Sequence, residues 1–295
     1  MAGIVSGIVI LMVTIGLFSP EPTPAKSKNM ANVYPPTSSY VSAHSIPNPT
    51  TVVMPTARPT VSISSVAEGK TGNDFCLNVP VLMYHHIQPE ALASEKGQTS
   101  LTVDSGIFDQ QMAYLVSRGY TSISANQLAN ALRTHSNLPG KPIVITMDDG
   151  YKDNFTYAFP VIQKYGLIAN IMIPTGLLEN EDFLSWNDLK TMVDSGRFNA
   201  YDHTWSHASL GGASDDKVQA EVMTAKTQLE EHLGRPINIF AYPYGSESPR
   251  VAQIIAQDGF TAAFSTIAGK TQCESFIMAL HRTRIGNSSL SSYGI

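Results

Sequence analysis

Two acidic side chains stand at the end of an apolar segment, in the stretch PIVITMDDGYKDN (residues 142–154). Asp148 and Asp149 are adjacent and are followed by Gly150, and an Asp-Gly pair is also typical of an ordinary turn. Two carboxylates at the mouth of a buried strand, however, repel each other and lose hydration, so that a cation or a proton is usually needed to stabilise them. The segment is therefore either a turn or a cation-binding carboxylate pair.

A histidine pair follows a second apolar segment, in AYDHTWSHASLGG (residues 200–212). His203 and His207 are four residues apart, a spacing that can turn both imidazoles toward one point on a turn or short helix. Two histidines and one carboxylate are a common ligand set for a catalytic divalent metal with open positions. Surface histidines give such a spacing by chance as well, but this pair follows a strand, as the aspartate pair does. Together the two segments predict a metal site.

A third segment, INIFAYPYGSES (residues 237–248), places Tyr242-Pro243-Tyr244-Gly245 after an apolar run. This sequence is compatible with an ordinary Pro/Gly loop. It is equally compatible with a rigid turn that presents a backbone N–H and aromatic rings to a ligand.

Composition excludes several classes of protein. The chain has 295 residues, 43% of them hydrophobic, which is enough to bury a sizeable core. With 19 Lys+Arg against 24 Asp+Glu, it lacks the basic surface that a nucleic-acid partner requires. It contains only Cys76 and Cys273, so any metal site must be built from histidines and carboxylates. The two cysteines could form a disulfide in an exported protein, or remain buried thiols.

The amino-terminal part of the chain has a different character from the rest. Residues 2–18 are almost all apolar, which predicts an export segment over residues 1–19, either a signal peptide or a membrane anchor. Residues 20–73 are rich in Pro, Ser and Thr, which predicts a disordered linker. We therefore expect an extracellular, cell-wall or periplasmic protein that contacts a membrane only through its amino terminus. The catalytic domain is expected over residues 74–295.

Alternating elements in that domain would position the candidate residues. Helical periodicity, with capping residues such as Ser185 and Ser214, lies between most of the apolar runs. This alternation is typical of a parallel α/β fold, and seven or eight units favour a closed barrel, whose chemistry lies at the carboxyl ends of the strands. The predicted strands are residues 79–84, 121–124, 142–146, 168–173, 198–202, 237–242, 261–266 and 278–285.

In this order, the motifs TMDDG, HTWSH and YPYG resemble those of the metal-dependent polysaccharide deacetylases, carbohydrate esterase family 4 with its NodB-homology domain. The segments VPVLMYHHI and FLSWNDLKTMVDSG are similar to the branch of exported poly-N-acetylglucosamine and peptidoglycan deacetylases. The resemblance covers residues 79–290 and implies a distorted (β/α) barrel of seven or eight units. It also implies metal ligation by Asp149, His203 and His207, with zinc expected and Co²⁺, Ni²⁺ or Fe²⁺ as alternatives.

The resemblance assigns further roles to individual residues. Asp148 would be the general base, and the backbone N–H of Tyr244 would help to hold the oxyanion. The general acid would be His85 or, as second choice, His281 on the last strand. Because side chains alternate along a strand, only one of His85 and His86 should face the barrel mouth.

Two departures from the family pattern affect these assignments. Ala241 stands where many members have an arginine that braces the base, so Asp148 must either have another orienting partner or titrate differently. The Asp/Trp motif that the family usually has on the following strand is also missing, and Trp186 could supply the missing apolar wall of the site from another loop. Aromatic side chains expected to contact sugar rings, with packing at the barrel rim as the alternative, are Tyr84, Tyr151, Trp186 and Tyr242.

The resemblance leads us to expect a metal-dependent hydrolase that removes N-acetyl groups from an N-acetylglucosamine polymer of the cell envelope. The partner would be an acetylated glycan, with no nucleic acid. An O-acetyl esterase acting on xylan-like polymers is one alternative, because an alcohol leaving group needs less help from an acid. A non-catalytic glycan-binding protein is the other, although the intact ligands and base argue against it.

Overall fold

The computed structural model describes residues 74–295. The predicted export segment (residues 1–19) and linker (residues 20–73) lie outside the described residues. Within residues 74–295, no helix is both long enough and apolar enough to cross a membrane.

The described chain alternates strands and helices, as the sequence predicts. Its strands are β1 (Cys76–Asn78), β2 (Val81–Tyr84), β3 (His86–Gln88), β4 (Thr102–Asp104), β5 (Thr121–Ser122), β6 (Pro142–Met147), β7 (Ala169–Ile173), β8 (Phe198–Asp202), β9 (Ile239–Ala241), β10 (Ala262–Ala268), β11 (Thr271–Cys273) and β12 (Leu280–Arg284). Its α-helices are α1 (Glu90–Glu95), α2 (Ser105–Ser117), α3 (Ala125–Thr134), α4 (Phe159–Lys164), α5 (Trp186–Asp194), α6 (Asp215–Leu233) and α7 (Pro249–Gln257). One π-helical turn, Asn154–Ala158, leads into α4.

Seven parallel strands close into a barrel, in the order β2-β12-β10-β9-β8-β7-β6, and β6 returns to pair with β2. The predicted (β/α) barrel is therefore confirmed, with seven strands in the ring. The predicted strand at residues 121–124 is present as β5, but it only flanks the start of β6. The carboxyl ends of all seven strands meet at one end, where a barrel carries its chemistry.

Side-chain alternation divides the apolar residues of the barrel into two clusters. Ile145 and Ile171 pack outward with the surrounding helices, whereas Val144 and Met172 belong to an inner cluster that also contains Leu128 of α3. The start of α3 is tied to β7, because the backbone N–H of Ala125 donates to the Asn170 side chain over 2.9 Å. Helix α3 therefore fills the amino-terminal end of the barrel and leaves the opposite end for the candidate residues.

A disulfide joins the two ends of the domain. Cys76 of β1 and Cys273 of β11 are bonded across 197 residues of sequence, and their strands pair in a small antiparallel sheet. Of the two alternatives open from the sequence, the structure has the disulfide. In the chain-entropy model, closing so long a loop stabilises the fold by about 5 kcal/mol.

Candidate active site

Asp149, His203 and His207 converge at the carboxyl ends of β6 and β8. The Nε2 atoms of His203 and His207 lie 3.3 Å and 3.1 Å from Oδ1 of Asp149. The three ligand atoms all lie within 4.8 Å of one another. The structure therefore brings together the three side chains that the sequence analysis selected as metal ligands.

The orientation of both imidazoles is fixed through their other ring nitrogen. Nδ1 of His203 donates to the backbone carbonyl of Ala241 over 2.7 Å. Nδ1 of His207 lies 3.0 Å from the hydroxyl oxygen of Tyr244. Because a carbonyl can only accept, the Ala241 contact fixes the tautomer of His203, and both contacts hold the rings with Nε2 toward Asp149, as is common for histidine ligands in metal sites.

Left-handed backbone conformations concentrate at this site. Asp149 (φ 73°), Thr204 (φ 67°), His207 (φ 59°) and Tyr244 (φ 60°) all have positive φ without being glycine. Each such residue costs of order 1–3 kcal/mol, so the surrounding structure must hold it there. The chain between the two histidines forms a bend rather than a helix, and the strained residues turn the imidazoles inward.

The Asp149 carboxylate is suited to a cation. Its Oδ1 atom is buried and accepts no hydrogen bond from any residue between 74 and 295. Burial alone would raise the pKa of Asp149, but the contacts with His203 and His207 outweigh burial and hold it well below its usual range. An ionised, unsatisfied oxygen beside two imidazole nitrogens fits the ligand set of a first-row divalent metal.

The neighbouring carboxylate, Asp148, is paired with a buried arginine. Nη1 of Arg282, on β12, donates to Oδ1 of Asp148 over 2.7 Å, while Nε of Arg282 donates to the Ser265 carbonyl over 2.8 Å. Burial tends to raise the pKa of Asp148, but the positive charge of Arg282 and its hydrogen bond to the carboxylate act against burial, and that pKa is lowered. Arg282 was not among the residues selected from the sequence, and it provides the brace that Ala241 cannot.

Of the three histidines considered for the acid, His85 lies near the two carboxylates, because the backbone N–H of Asp148 donates over 2.9 Å to the carbonyl of Tyr84, the residue before His85. Burial lowers the pKa of His85, while the charges of Asp148 and Asp149 act in the opposite direction, which places all three groups in one electrostatic environment. His86 faces elsewhere: its Nδ1 lies 2.5 Å from Asp153.

The second choice for the acid, His281, does not lie with these groups. Its ring stacks on Phe276 at 4.4 Å, and it neighbours Arg282, whose side chain points into the barrel. Because adjacent side chains of a strand face opposite sides, His281 faces away from Asp148. The position of His281 therefore does not support it as the general acid.

The structure separates the four aromatic candidates for substrate contact. Tyr151 lies at the site: burial and the nearby Asp149 carboxylate raise the pKa of its hydroxyl. Tyr84 is fully buried, and its hydroxyl donates to Gln111 of α2 over 2.9 Å. The ring of Tyr84 therefore packs in the core and is not available to a sugar.

Tyr242 and Trp186 are likewise engaged in packing rather than exposed at the site. Tyr242 is fully buried, and its hydroxyl donates to the Met278 carbonyl over 2.9 Å. The indole of Trp186 stacks on His232 of α6 at 3.8 Å. By contrast, Tyr244, whose hydroxyl contacts His207, is 71% exposed. The predicted sugar contacts of Tyr84, Tyr242 and Trp186 are therefore not supported by their positions.

Known proteins are similar to this chain in both sequence and fold. The profile of a family described as polysaccharide deacetylase matches residues 135–263. The crystal structure of BA0330 from Bacillus anthracis, described as a polysaccharide deacetylase, has 30% sequence identity to this chain. The two structures match with a TM-score of 0.66 over 75% of this chain and 69% of that one. The chain belongs to the polysaccharide deacetylase family. The predicted resemblance is thus confirmed.

Two further proteins are similar to this chain. The deacetylase PplD of Streptococcus pyogenes, solved in complex with acetate, is 28% identical, with a TM-score of 0.68 over 74% of this chain and 96% of that one. The poly-β-1,6-N-acetyl-D-glucosamine N-deacetylase of Escherichia coli K12 is 21% identical over 64% of this chain. The match spans only 34% of that enzyme.

Proposed function

We propose that this polysaccharide deacetylase is a metal-dependent hydrolase that removes N-acetyl groups from an N-acetylglucosamine-containing polysaccharide of the cell envelope. The observation that carries the proposal is the convergence of Asp149, His203 and His207 around a buried carboxylate oxygen that lacks a hydrogen-bond donor. The activity in the name of the Escherichia coli relative supports the choice of an N-acetylglucosamine polymer.

Asp149, His203 and His207 would hold the metal, with zinc as the first choice and Co²⁺, Ni²⁺ or Fe²⁺ as alternatives. When bound, a divalent metal supplies polarisation of the acetyl carbonyl and lowers the pKa of water toward 7. The hydrogen bonds that the two imidazoles make through Nδ1 leave both Nε2 atoms available as ligands.

Asp148 acts as the general base in this proposal. Its hydrogen bond to Arg282 keeps the carboxylate ionised and fixes its orientation, so that it can accept a proton from the attacking water. The backbone N–H of Tyr244 donates to the oxyanion that develops on the acetyl group. Removing one such donor costs about 3–4 kcal/mol of transition-state stabilisation.

His85 acts as the general acid. An amine is a poor leaving group, so the nitrogen of the glucosamine must receive a proton as the C–N bond breaks. His85 is the candidate that shares the electrostatic environment of Asp148 and Asp149. Tyr151, beside Asp149, is the aromatic residue that we retain as a contact for the substrate.

The proposed setting of this reaction is outside the cytoplasm. Residues 1–19 would direct export or anchor the chain, residues 20–73 would act as a linker, and residues 74–295 would form the catalytic domain. The disulfide between Cys76 and Cys273 supports an oxidising compartment, because structural disulfides persist mainly in exported proteins.

The test measures acetate release by the purified full-length protein from poly-β-1,6-N-acetylglucosamine, chitin oligomers, peptidoglycan and O-acetylated xylan. We expect release from N-acetylated glycans, its loss in chelator and its recovery with added zinc. Release from O-acetylated xylan alone would favour the esterase. Glycan binding by the zinc-loaded protein without any release would favour a non-catalytic binding protein.

A further inference from the structure

A cavity of about 360 Å³ opens beside His85, away from the metal ligands. Its polar lining includes His85, Ser100, Arg284 and Asn287, and no acidic side chain of the described chain lines it. Pockets that bind small molecules span roughly 300–1,000 Å³, so this cavity has room for a small ligand.

Arg284 is placed at this cavity by the register of the last strand. Strand β12 ends with Arg282, Thr283 and Arg284, and side chains two residues apart face the same side, about 7 Å from each other. Arg282 lies inside the barrel and contacts Asp148, so Arg284, two residues further along β12, lies nearer the mouth of the barrel. Its register partner is Met83 on β2, the first strand of the ring, and His85 follows directly after the end of that strand.

The charge of Arg284 differs from that of Arg282 in having no counter-ion. Arg282 is neutralised by Asp148, whereas Arg284 forms no ion pair with any carboxylate in residues 74–295. Nη2 of Arg284 donates to the Ser100 carbonyl over 3.0 Å, which fixes the guanidinium at the cavity wall. In a chain of net charge −5, this leaves a positive wall on a polar cavity.

We propose that this cavity binds the sugar next to the one being deacetylated, and that Arg284 recognises an anionic substituent, a carboxylate or a phosphate, on that sugar. This inference rests on the proposed function, because the cavity lies next to the reacting sugar only if His85, which lines it, is the general acid. An oxyanion suits the site because the planar guanidinium pairs well with both carboxylate and phosphate.

The experiment compares matched oligosaccharides whose N-acetylglucosamine has a neutral neighbour, a neighbour with a lactyl carboxylate, or a phosphorylated neighbour. Both kcat/KM for acetate release and the calorimetric Kd are measured for the wild type, Arg284→Gln and the control Arg235→Gln, which changes an exposed arginine elsewhere. We expect the wild type and Arg235→Gln to favour an anionic oligosaccharide by about tenfold or more, and Arg284→Gln to lose that preference.

The two anionic arms distinguish the sources of the charge. A preference for the lactyl carboxylate alone supports a peptidoglycan-type neighbour, and a preference for the phosphate alone supports a phosphorylated glycan. Equal kcat/KM and Kd values for neutral and anionic oligosaccharides in the wild type would overturn the inference.

Failure of the proposed function has a different signature. It would appear as no acetate release from any oligosaccharide by the zinc-loaded protein. Calorimetry then decides the inference alone: tighter anionic binding by the wild type than by Arg284→Gln supports it, and equal binding overturns it. Circular dichroism confirms that each variant is folded.

Discussion

Arg282 donates a 2.7 Å hydrogen bond to Asp148 inside the barrel, where both side chains are almost completely buried. The pair links the last strand of the ring, β12, to the end of β6, since these strands flank β2 on either side. Desolvation of two charges offsets much of their attraction, so such a pair contributes little net stability. Its consequence is instead that the proposed base stays ionised and in one orientation.

Removing Arg282 should therefore damage both stability and turnover. Arg282→Ala leaves the Asp148 carboxylate buried without a partner, which is expected to cost about 3–5 kcal/mol in the free energy of unfolding. Urea denaturation measures that loss. Arg282→Lys, which keeps the charge but not the planar guanidinium, should recover part of the stability and of kcat.

The matched control is Arg250→Ala, which breaks an exposed ion pair with Asp215 and should change little. Wild-type stability together with wild-type kcat in Arg282→Ala would show that Asp148 does not depend on this arginine.

The two candidate acids should respond differently to substitution. His85→Gln should lower kcat on an N-acetylated glycan by about 10²–10⁴-fold, because the departing nitrogen is no longer protonated. His281→Gln is the matched control and should stay near the wild type, since its ring stacks on Phe276. Initial rates of acetate release measure both. A large loss in His281→Gln with normal turnover in His85→Gln would reverse the assignment.

The hydroxyl of Tyr244 should tune metal affinity. Tyr244→Phe keeps the ring and the backbone N–H but removes the partner of His207 Nδ1. Loss of such an outer contact typically weakens metal binding by about 10–100-fold, and zinc titration against a competing chelator measures it. Unchanged zinc affinity in Tyr244→Phe would mean that His207 is oriented without this hydroxyl.

Substitution of Arg284 should shift the pH dependence of kcat/KM, because the charge of Arg284 lowers the pKa of His85. Burial chiefly lowers the pKa of His85, and the positive charges of Arg282 and Arg284 lower it further. A general acid is active when protonated, so kcat/KM falls as the pH rises through its pKa. Arg284→Gln removes one positive charge, raises the pKa of His85 and should move the alkaline limb, measured on a neutral oligosaccharide, to higher pH. No shift, or a shift to lower pH, would argue against His85 as the acid.

Much of the fold is predictable because its signals are local. Each of the eight predicted strands overlaps an observed one, and Ser185 and Ser214 cap their helices as expected. The short pairs β1–β11 and β3–β4 were missed, because strands of three residues carry too few side chains to show an alternating pattern. The disulfide likewise joins segments that are distant in sequence.

The candidate site was only partly predictable from the sequence. Asp149, His203 and His207 follow strand ends, and a parallel barrel brings all strand ends together. The phase of each strand, however, decides which of two adjacent side chains points inward, and short apolar runs do not reveal it. That ambiguity explains why His281 was considered and Arg282 missed, and why Tyr84, which packs on α2, was expected to contact a sugar.

The most direct test of the metal centre is equilibrium dialysis of the full-length protein against zinc, with metal content and acetate release measured on the same samples. We predict one zinc ion per chain in the wild type and in the control His232→Ala, and its loss in His203→Ala and His207→Ala. Asp148→Asn should keep the ion and lose most of its turnover. Wild-type zinc binding in both His203→Ala and His207→Ala, or full acetate release by the chelated wild type, would contradict the account.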